Sequence, residues 1–247
     1  MATFVLVPGF WLGAWAWDEV AASLRAAGHR VHAVTLTGVA ERAAEATPEV
    51  DVDTHIADVI GVIEDNDLHE VVLVAHSGAN MPVTGAADRV PGRLARIVYV
   101  DSGPLPSGMA QIDFTDPEEQ AALRKQVEAE GDGWRLPVPR FDAEADAHMI
   151  AGLTAEHLAA FAERGTPEPF GAATQPLARP ATPPATPKTA ILSTFPLAAI
   201  EQMAASGNPA FSLMTGPEWS YRELPTGHWP MFSKPAELAG LLADIAG

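Results

Sequence analysis

The chain has 247 residues, 47% of them hydrophobic, which is enough for a sizeable core in one α/β domain carrying an insertion. Its formal charge is −17, from 32 acidic against 15 basic residues and with no Lys/Arg cluster, so nucleic acid, anionic membranes and polyanionic substrates are poor partners. There is no cysteine, which removes disulfides, thiolate metal sites and a cysteine nucleophile.

In chain order, Thr3–Val7 is a short apolar run closed by Pro8-Gly9 and predicts a buried strand followed by a loop. The first residues lack a basic stretch followed by a long apolar run, and no segment approaches the ~20 apolar residues of a membrane span. The expectation is a soluble, cytoplasmic protein. Trp17–Ala27 has helical periodicity, and Arg30–Leu36 reads as a second strand. Asp53–Asp65 puts Ile56, Val59, Ile60 and Ile63 on one helix face, with Asp53 or Thr54 as the cap. Val71–Ala75 predicts a strand buried on both faces, Asn80–Arg89 a helix that tolerates Pro82 in its first turn, and Arg96–Val100 a fourth strand.

The pattern changes after residue 103. Helices are expected at Pro117–Glu130, Asp142–Ala151 and Thr154–Arg164, then a Pro-rich extended return over Thr166–Pro187, with no strand in the segment. Strand character resumes at Thr189–Ser193, followed by a helix at Leu197–Ala205, a strand at Ser220–Leu224 and a helix at Pro235–Ala246. Alternating strands and helices predict a mostly parallel, doubly wound α/β sheet built from residues 1–103 and 188–247. Residues 104–187 would form a helical lid over the carboxyl edge of the sheet, where open α/β sheets bind ligands, with the Pro-rich return over Thr166–Pro187 either part of that lid or only a linker.

Chemistry enters at Ala75-His76-Ser77-Gly78-Ala79, where a β-branched run meets a helix through small residues. This is a near match to the G-x-S-x-G nucleophile elbow, with Ala in place of both outer glycines. Such a turn lifts the Ser77 hydroxyl out of the sheet, although a serine after a strand also serves as a helix cap. A serine nucleophile needs a base. Of the eight histidines, His228 follows the last strand and so lies on a loop at the same sheet edge. His29, His32 and His69 flank strands away from that edge, His55, His148 and His157 fall on predicted helix surfaces, and His76 points away from the nucleophile's side of the turn.

With Phe4–Trp17, the elbow and Gly227-His228-Trp229, the chain resembles the α/β-hydrolase superfamily along nearly its whole length. It is most similar to the plant methylesterase/hydroxynitrile lyase type and its bacterial esterase relatives. The resemblance implies no cofactor and no metal. It implies an oxyanion hole from the backbone N–H groups of Phe10 and Gly78, with Pro8-Gly9 where relatives often carry His-Gly. In these relatives the acid usually follows the penultimate strand, but Ile191–Leu197 holds no carboxylate and Phe195 takes that slot. A second location known in the superfamily, after the strand that follows the nucleophile's helix, falls on Asp101; capping of the next turn is its other reading. Glu201 and Glu218 are poorer placed.

The expected activity is therefore hydrolysis of a small neutral ester, in a pocket lined by Gly9, Trp11, Phe195 and Trp229. A hydroxynitrile lyase would have a lysine where Trp229 stands and a hydroxyl where Gly9 stands. A non-catalytic binder on the same fold would not need both Ser77 and His228. The oligomeric state is not written in the sequence.

Overall fold

The computed structural model describes residues 1–247. The chain runs β1 (Thr3–Val7), α1 (Asp18–Ala26), β2 (Arg30–Ala33), α2 (Val52–Asp65), β3 (Val71–His76), α3 (Asn80–Arg89) and β4 (Leu94–Val100). The inserted segment then carries α4 (Pro117–Glu130), β5 (Arg135–Leu136), α5 (Ala155–Arg164), β6 (Glu168–Pro169) and α6 (Gly171–Thr174). The remainder is β7 (Lys188–Leu192), α7 (Leu197–Ala205), α8 (Pro209–Ser212), β8 (Trp219–Glu223), α9 (Pro230–Ser233) and α10 (Pro235–Ala246).

Six strands form one sheet in the order β2-β1-β3-β4-β7-β8, with every neighbouring pair parallel. The order reverses at β1, between β2 and β3, which opens a crevice at the carboxyl ends of β1 and β3. The period-2 alternation of β3 explains why its whole length is apolar. Val71, Leu73 and Ala75 face a core shared with α2 and α3, whereas Val72 and Val74 face a core shared with α1 and α10. No helix is long and apolar enough to cross a membrane.

Local capping moves one predicted boundary. The N-cap of α2 is Asp51, not Asp53 or Thr54: its carboxylate accepts the Thr54 N–H at 2.9 Å in a capping box. His55 shares the i, i+3/i+4, i+7 apolar face with Val52, Ile56 and Val59 and is fully buried, not on the helix surface.

The inserted segment departs most from expectation. Residues 142–151 form successive turns, not a helix. The Asp142 carboxylate takes the Glu144 and Ala145 N–H groups, and the Met149 and Ala151 carbonyls accept His228 N–H at 2.7 Å and Gly227 N–H at 2.9 Å. Only two i→i+4 bonds form there, Asp146 N–H to the Asp142 carbonyl and Ile150 N–H to the Asp146 carbonyl, too few for a helical ladder. A two-stranded antiparallel sheet, β5 with β6, also appears where no strand was expected, and α6 interrupts the Pro-rich return.

That return is fastened to α3 by a buried bidentate pair, Arg179 Nε to Asp88 at 2.7 Å and Nη2 to Asp88 at 3.0 Å. Both side chains are below a tenth exposed. Removing one partner strands a buried charge. Arg179→Met should therefore lower the unfolding free energy in guanidinium by about 3 kcal/mol, and Arg179→Met/Asp88→Asn should recover most of it. An unchanged unfolding midpoint in the single variant would show the pair to be energetically inert.

Candidate active site

Ser77 follows β3 directly and adopts φ +50°, a left-handed conformation unusual for a residue with a Cβ. The chain then enters a single 3₁₀ turn, Ser77–Ala79, and continues into α3. The turn is crowded. A Cβ on Gly9 would sit 2.8 Å from the Ser77 Cβ, and one on Gly78 would sit 2.7 Å from the Phe10 ring. Glycine at these two positions permits the close approach. Ser102 Oγ donates to the Ser77 carbonyl at 2.8 Å and Asn80 Nδ2 donates to the Gly103 carbonyl at 2.9 Å, so the loop after β4 braces the elbow.

Three side chains from three strand ends meet here. His228 Nε2 lies 2.7 Å from Ser77 Oγ, and His228 Nδ1 lies 2.6 Å from Asp101 Oδ2. Asp101 follows β4 directly, also in the left-handed region at φ +46°. The slot after β7, where a carboxylate was missing from the sequence, supplies hydrogen-bond donors instead. Ser193 N–H and Thr194 N–H donate to Asp101 Oδ1 at 3.1 and 2.8 Å, and Thr194 Oγ1 reaches both carboxylate oxygens. Burial pushes the Asp101 carboxyl up, but His228 and the Thr194 donors outweigh it and hold the carboxyl below its ordinary range. Sequence does not single out Thr194; its only signal is a hydroxyl beside Phe195, in the loop where relatives carry the acid.

His76 lies beneath this constellation. It is buried, its ring centroid is 4.9 Å from that of His228, and its Nε2 donates to the His228 carbonyl at 2.7 Å. With Met149 and Ala151, it ties down the His228 loop. Gly227 is needed there, because a Cβ would meet the Met149 carbonyl at 2.4 Å.

The Phe10 and Gly78 N–H groups make no hydrogen bond outside regular elements, and Gly78 lies in the first turn of its 3₁₀ segment, where N–H groups lack an internal acceptor. Contact of the Phe10 ring with Gly78 brings the two residues side by side next to Ser77.

A cavity of about 310 Å³ opens onto Ser77, Asp101 and His228. Its wall is mostly apolar, including Leu105, Phe114, Met149, Phe211 and Met214, and no Lys or Arg lines it. Of the four pocket residues expected from sequence, Phe195 lines this cavity and is about half exposed at it. Gly9, Trp11 and Trp229 do not line it. Gly9 packs behind Ser77, Trp229 is buried against Phe141 and Phe161, and Trp11 turns toward the inserted segment. The walls come from stretches remote in sequence, so adjacency to Ser77 or His228 along the chain did not reveal them. No group of His, Asp or Glu side chains is arranged to hold a metal ion.

A serine in left-handed backbone at the end of a central parallel strand, hydrogen-bonded to a histidine and through it to a carboxylate, sits on a doubly wound α/β sheet. The chain belongs to the alpha/beta hydrolase family, whose pattern matches residues 4–241. It is 48% identical over 102 residues, 41% of this chain, to a carbendazim hydrolyzing esterase of a Nocardioides species, and 38% identical over 100 residues, 39% of this chain, to methylesterase 7 of Arabidopsis thaliana. These matches span 42% and 38% of the two relatives' lengths. Among solved structures, an extracellular alpha/beta-hydrolase from a Paenibacillus species superposes with a TM-score of 0.77 over 100% of this chain and 99% of its own, at 23% identity, and so shares the fold.

The buried His76 gives a pH test. Burial, followed by the neighbouring His228, pushes its pKa down to about 3 from the ordinary 6.5. The unfolded chain thus takes up a proton near pH 6.5 that the native state refuses until about pH 3. Stability should fall as pH drops through that window, by up to ~1.4 kcal/mol per pH unit. His76→Gln, which keeps a donor for the His228 carbonyl, should flatten the fall measured by denaturant unfolding between about pH 6 and pH 4. The same slope in the variant would assign the loss to other groups.

Proposed function

We propose that the protein is a carboxylesterase-type serine hydrolase that cleaves a small neutral ester through an acyl-enzyme on Ser77. The observation that carries the reading is the continuous hydrogen-bonded chain Ser77 Oγ–His228–Asp101 at 2.7 and 2.6 Å, opening on an apolar cavity. Kinship to proteins named esterase and methylesterase supports it.

Ser77 Oγ attacks the ester carbonyl carbon while His228 Nε2 takes its proton. Asp101 accepts the Nδ1–H, fixes the tautomer and stabilises the imidazolium. The carbonyl oxygen becomes an oxyanion facing the Phe10 and Gly78 N–H groups, each donor being worth ~3 kcal/mol to the transition state. The tetrahedral intermediate collapses, the C–O bond to the alcohol breaks, and His228 returns the proton to the leaving alkoxide. Water, deprotonated by His228, then attacks the acyl carbon, and Ser77 leaves with its proton restored. Because the wall carries no cation to meet an anionic substrate, a neutral ester with an apolar body suits the cavity. The segment 104–187 contributes Leu105, Gln111, Phe114 and Met149 to that wall and serves as its cap.

The lyase reading loses support from Trp229. At the position where such lyases carry a lysine, this chain buries an indole against Phe141 and Phe161.

A serine-directed organophosphate should label wild type stoichiometrically by intact-mass measurement, and p-nitrophenyl acetate should be turned over. Both should vanish in Ser77→Ala. A wild type that neither labels nor turns over the ester would end the proposal. Asp101→Asn should reduce kcat by a large factor, with a ceiling near ~10⁴, while Glu201→Gln and Glu218→Gln should have little effect. Undiminished activity in Asp101→Asn would make the acid dispensable.

A further inference from the structure

The proposed mechanism leaves one fully buried acid without a role. Glu168, in β6, is 2% exposed. Its Oε2 accepts the backbone N–H of Trp11 at 2.9 Å, and its Oε1 has no hydrogen-bond partner. The nearest cationic candidate is His55, whose Nδ1 stands 3.9 Å from Oε1, beyond hydrogen-bond reach, while His55 Nε2 is engaged with the Thr37 carbonyl at 2.9 Å. A buried carboxylate is a costly means of satisfying one N–H, since a neutral amide oxygen would do so with far less desolvation.

What that N–H belongs to gives the arrangement its meaning. Trp11 adopts φ +68°, the largest positive φ of any non-glycine residue in the chain. An indole-bearing residue is strained in this region by about 1–3 kcal/mol and persists only if its surroundings hold it. The hydrogen bonds that do so all come from the inserted segment. Glu168 takes the Trp11 N–H, Thr166 N–H donates to the Trp11 carbonyl at 3.0 Å, and Trp11 Nε1 donates to the Leu136 carbonyl at 3.3 Å. Thr166 Oγ1 accepts the Ala40 N–H at 2.7 Å, which anchors the same stretch to the core. The Trp11 N–H shares its peptide plane with the Phe10 carbonyl, so fixing its direction fixes Phe10 ψ. On the other side of the Phe10 Cα is the N–H that the proposed mechanism aims at the oxyanion.

We propose that Glu168 is a positioning residue for the oxyanion hole: by holding the Trp11 N–H, a carboxylate from the cap sets the direction of the Phe10 N–H beside Ser77. This inference rests on the esterase reading above. Burial pushes the Glu168 carboxyl up, with His55 and the Trp11 N–H offsetting it only in part. Such tension is expected of a buried acid kept for geometry rather than for stability. The arrangement also makes oxyanion-hole geometry dependent on the inserted segment being seated.

Two variants separate positioning from mere structure. Glu168→Gln keeps an acceptor for the Trp11 N–H, and its amide N–H₂ faces His55. Glu168→Met keeps the volume and removes the acceptor. Both are assayed on a neutral p-nitrophenyl ester and titrated with an aryl trifluoromethyl ketone, to whose carbonyl carbon Ser77 Oγ adds with transfer of its proton to His228. The adduct presents an oxyanion, whereas the bound ester presents a carbonyl. Glu168→Met should lower kcat by roughly 10²-fold and weaken the ketone by a similar factor, with KM within about twofold of wild type. Glu168→Gln should stay within about threefold of wild type in all three.

Wild-type kcat and ketone affinity in Glu168→Met would overturn the proposal. So would a Met variant whose defect lies in KM, a Met variant that fails to fold while Gln folds, or a Gln variant as impaired as Met. A wild type without esterase activity would remove the esterase reading, and this inference with it. An active wild type with an indifferent Glu168→Met would remove this inference alone.

Discussion

The site hangs on the short hydrogen bond between His228 Nδ1 and Asp101 Oδ2, 2.6 Å long and largely shielded from solvent. It sets the orientation of the imidazole, and that orientation decides whether Nε2 meets the Ser77 hydroxyl. Asp101 can fulfil this only as an anion, and an anion this deep needs donors. Ser193 and Thr194 supply them from the end of β7. The proposed acid thus stands one strand over from the place the superfamily resemblance implies, and that place supplies its donors. Carboxylate and donors exchange places while the histidine stays where it is.

Backbone strain collects at the same edge. Trp11, Ser77 and Asp101 follow β1, β3 and β4, three neighbouring strands, and all three have positive φ with a side chain present. Each conformation costs of order 1–3 kcal/mol in isolation. They are held by an interlocking set of bonds: Glu168 on Trp11, Ser102 on the Ser77 carbonyl, and the Ile191 carbonyl on the Asp101 N–H. Rigidity of this kind is what a preorganised site requires, because reacting groups that must reorganise during the reaction give away the electrostatic advantage. The inserted segment takes part in the rigidity. Its carbonyls at Met149 and Ala151 fasten the His228 loop, and its β5–β6 strand pair fastens the Trp11 loop.

What could be read from the sequence follows a physical division. Local patterns specify strands and helices whose partners are many and apolar. The all-apolar Val71–Ala75, the periodic α3 and the terminal α10 were legible for this reason. Ser77 and His228 were legible because a strand–turn–helix motif and a late loop fix their positions independently of the rest of the chain. Asp101 could be reached through the superfamily resemblance, since nothing local distinguishes it from a turn cap. Residues 142–151 form turns docked on the His228 loop some eighty positions away, a contact that leaves no trace in their own composition. Trp229 and Trp11 lie off the cavity because adjacency to a site residue along the chain does not fix spatial adjacency. Their side chains instead join the apolar cluster on the opposite face. The donors at Ser193 and Thr194, and the latch at Glu168, were invisible because each depends on a pairing across more than ninety residues.

The central claim is that a charged Asp101 receives the His228 Nδ1 proton and thereby arms Ser77. Proton NMR of the resting protein in water observes that proton directly. The account predicts a single resonance far downfield of the amide envelope, coupled to the His228 ring nitrogen, retained in Ser77→Ala and absent in Asp101→Asn. A spectrum with no such resonance, or one that survives Asp101→Asn, would contradict it.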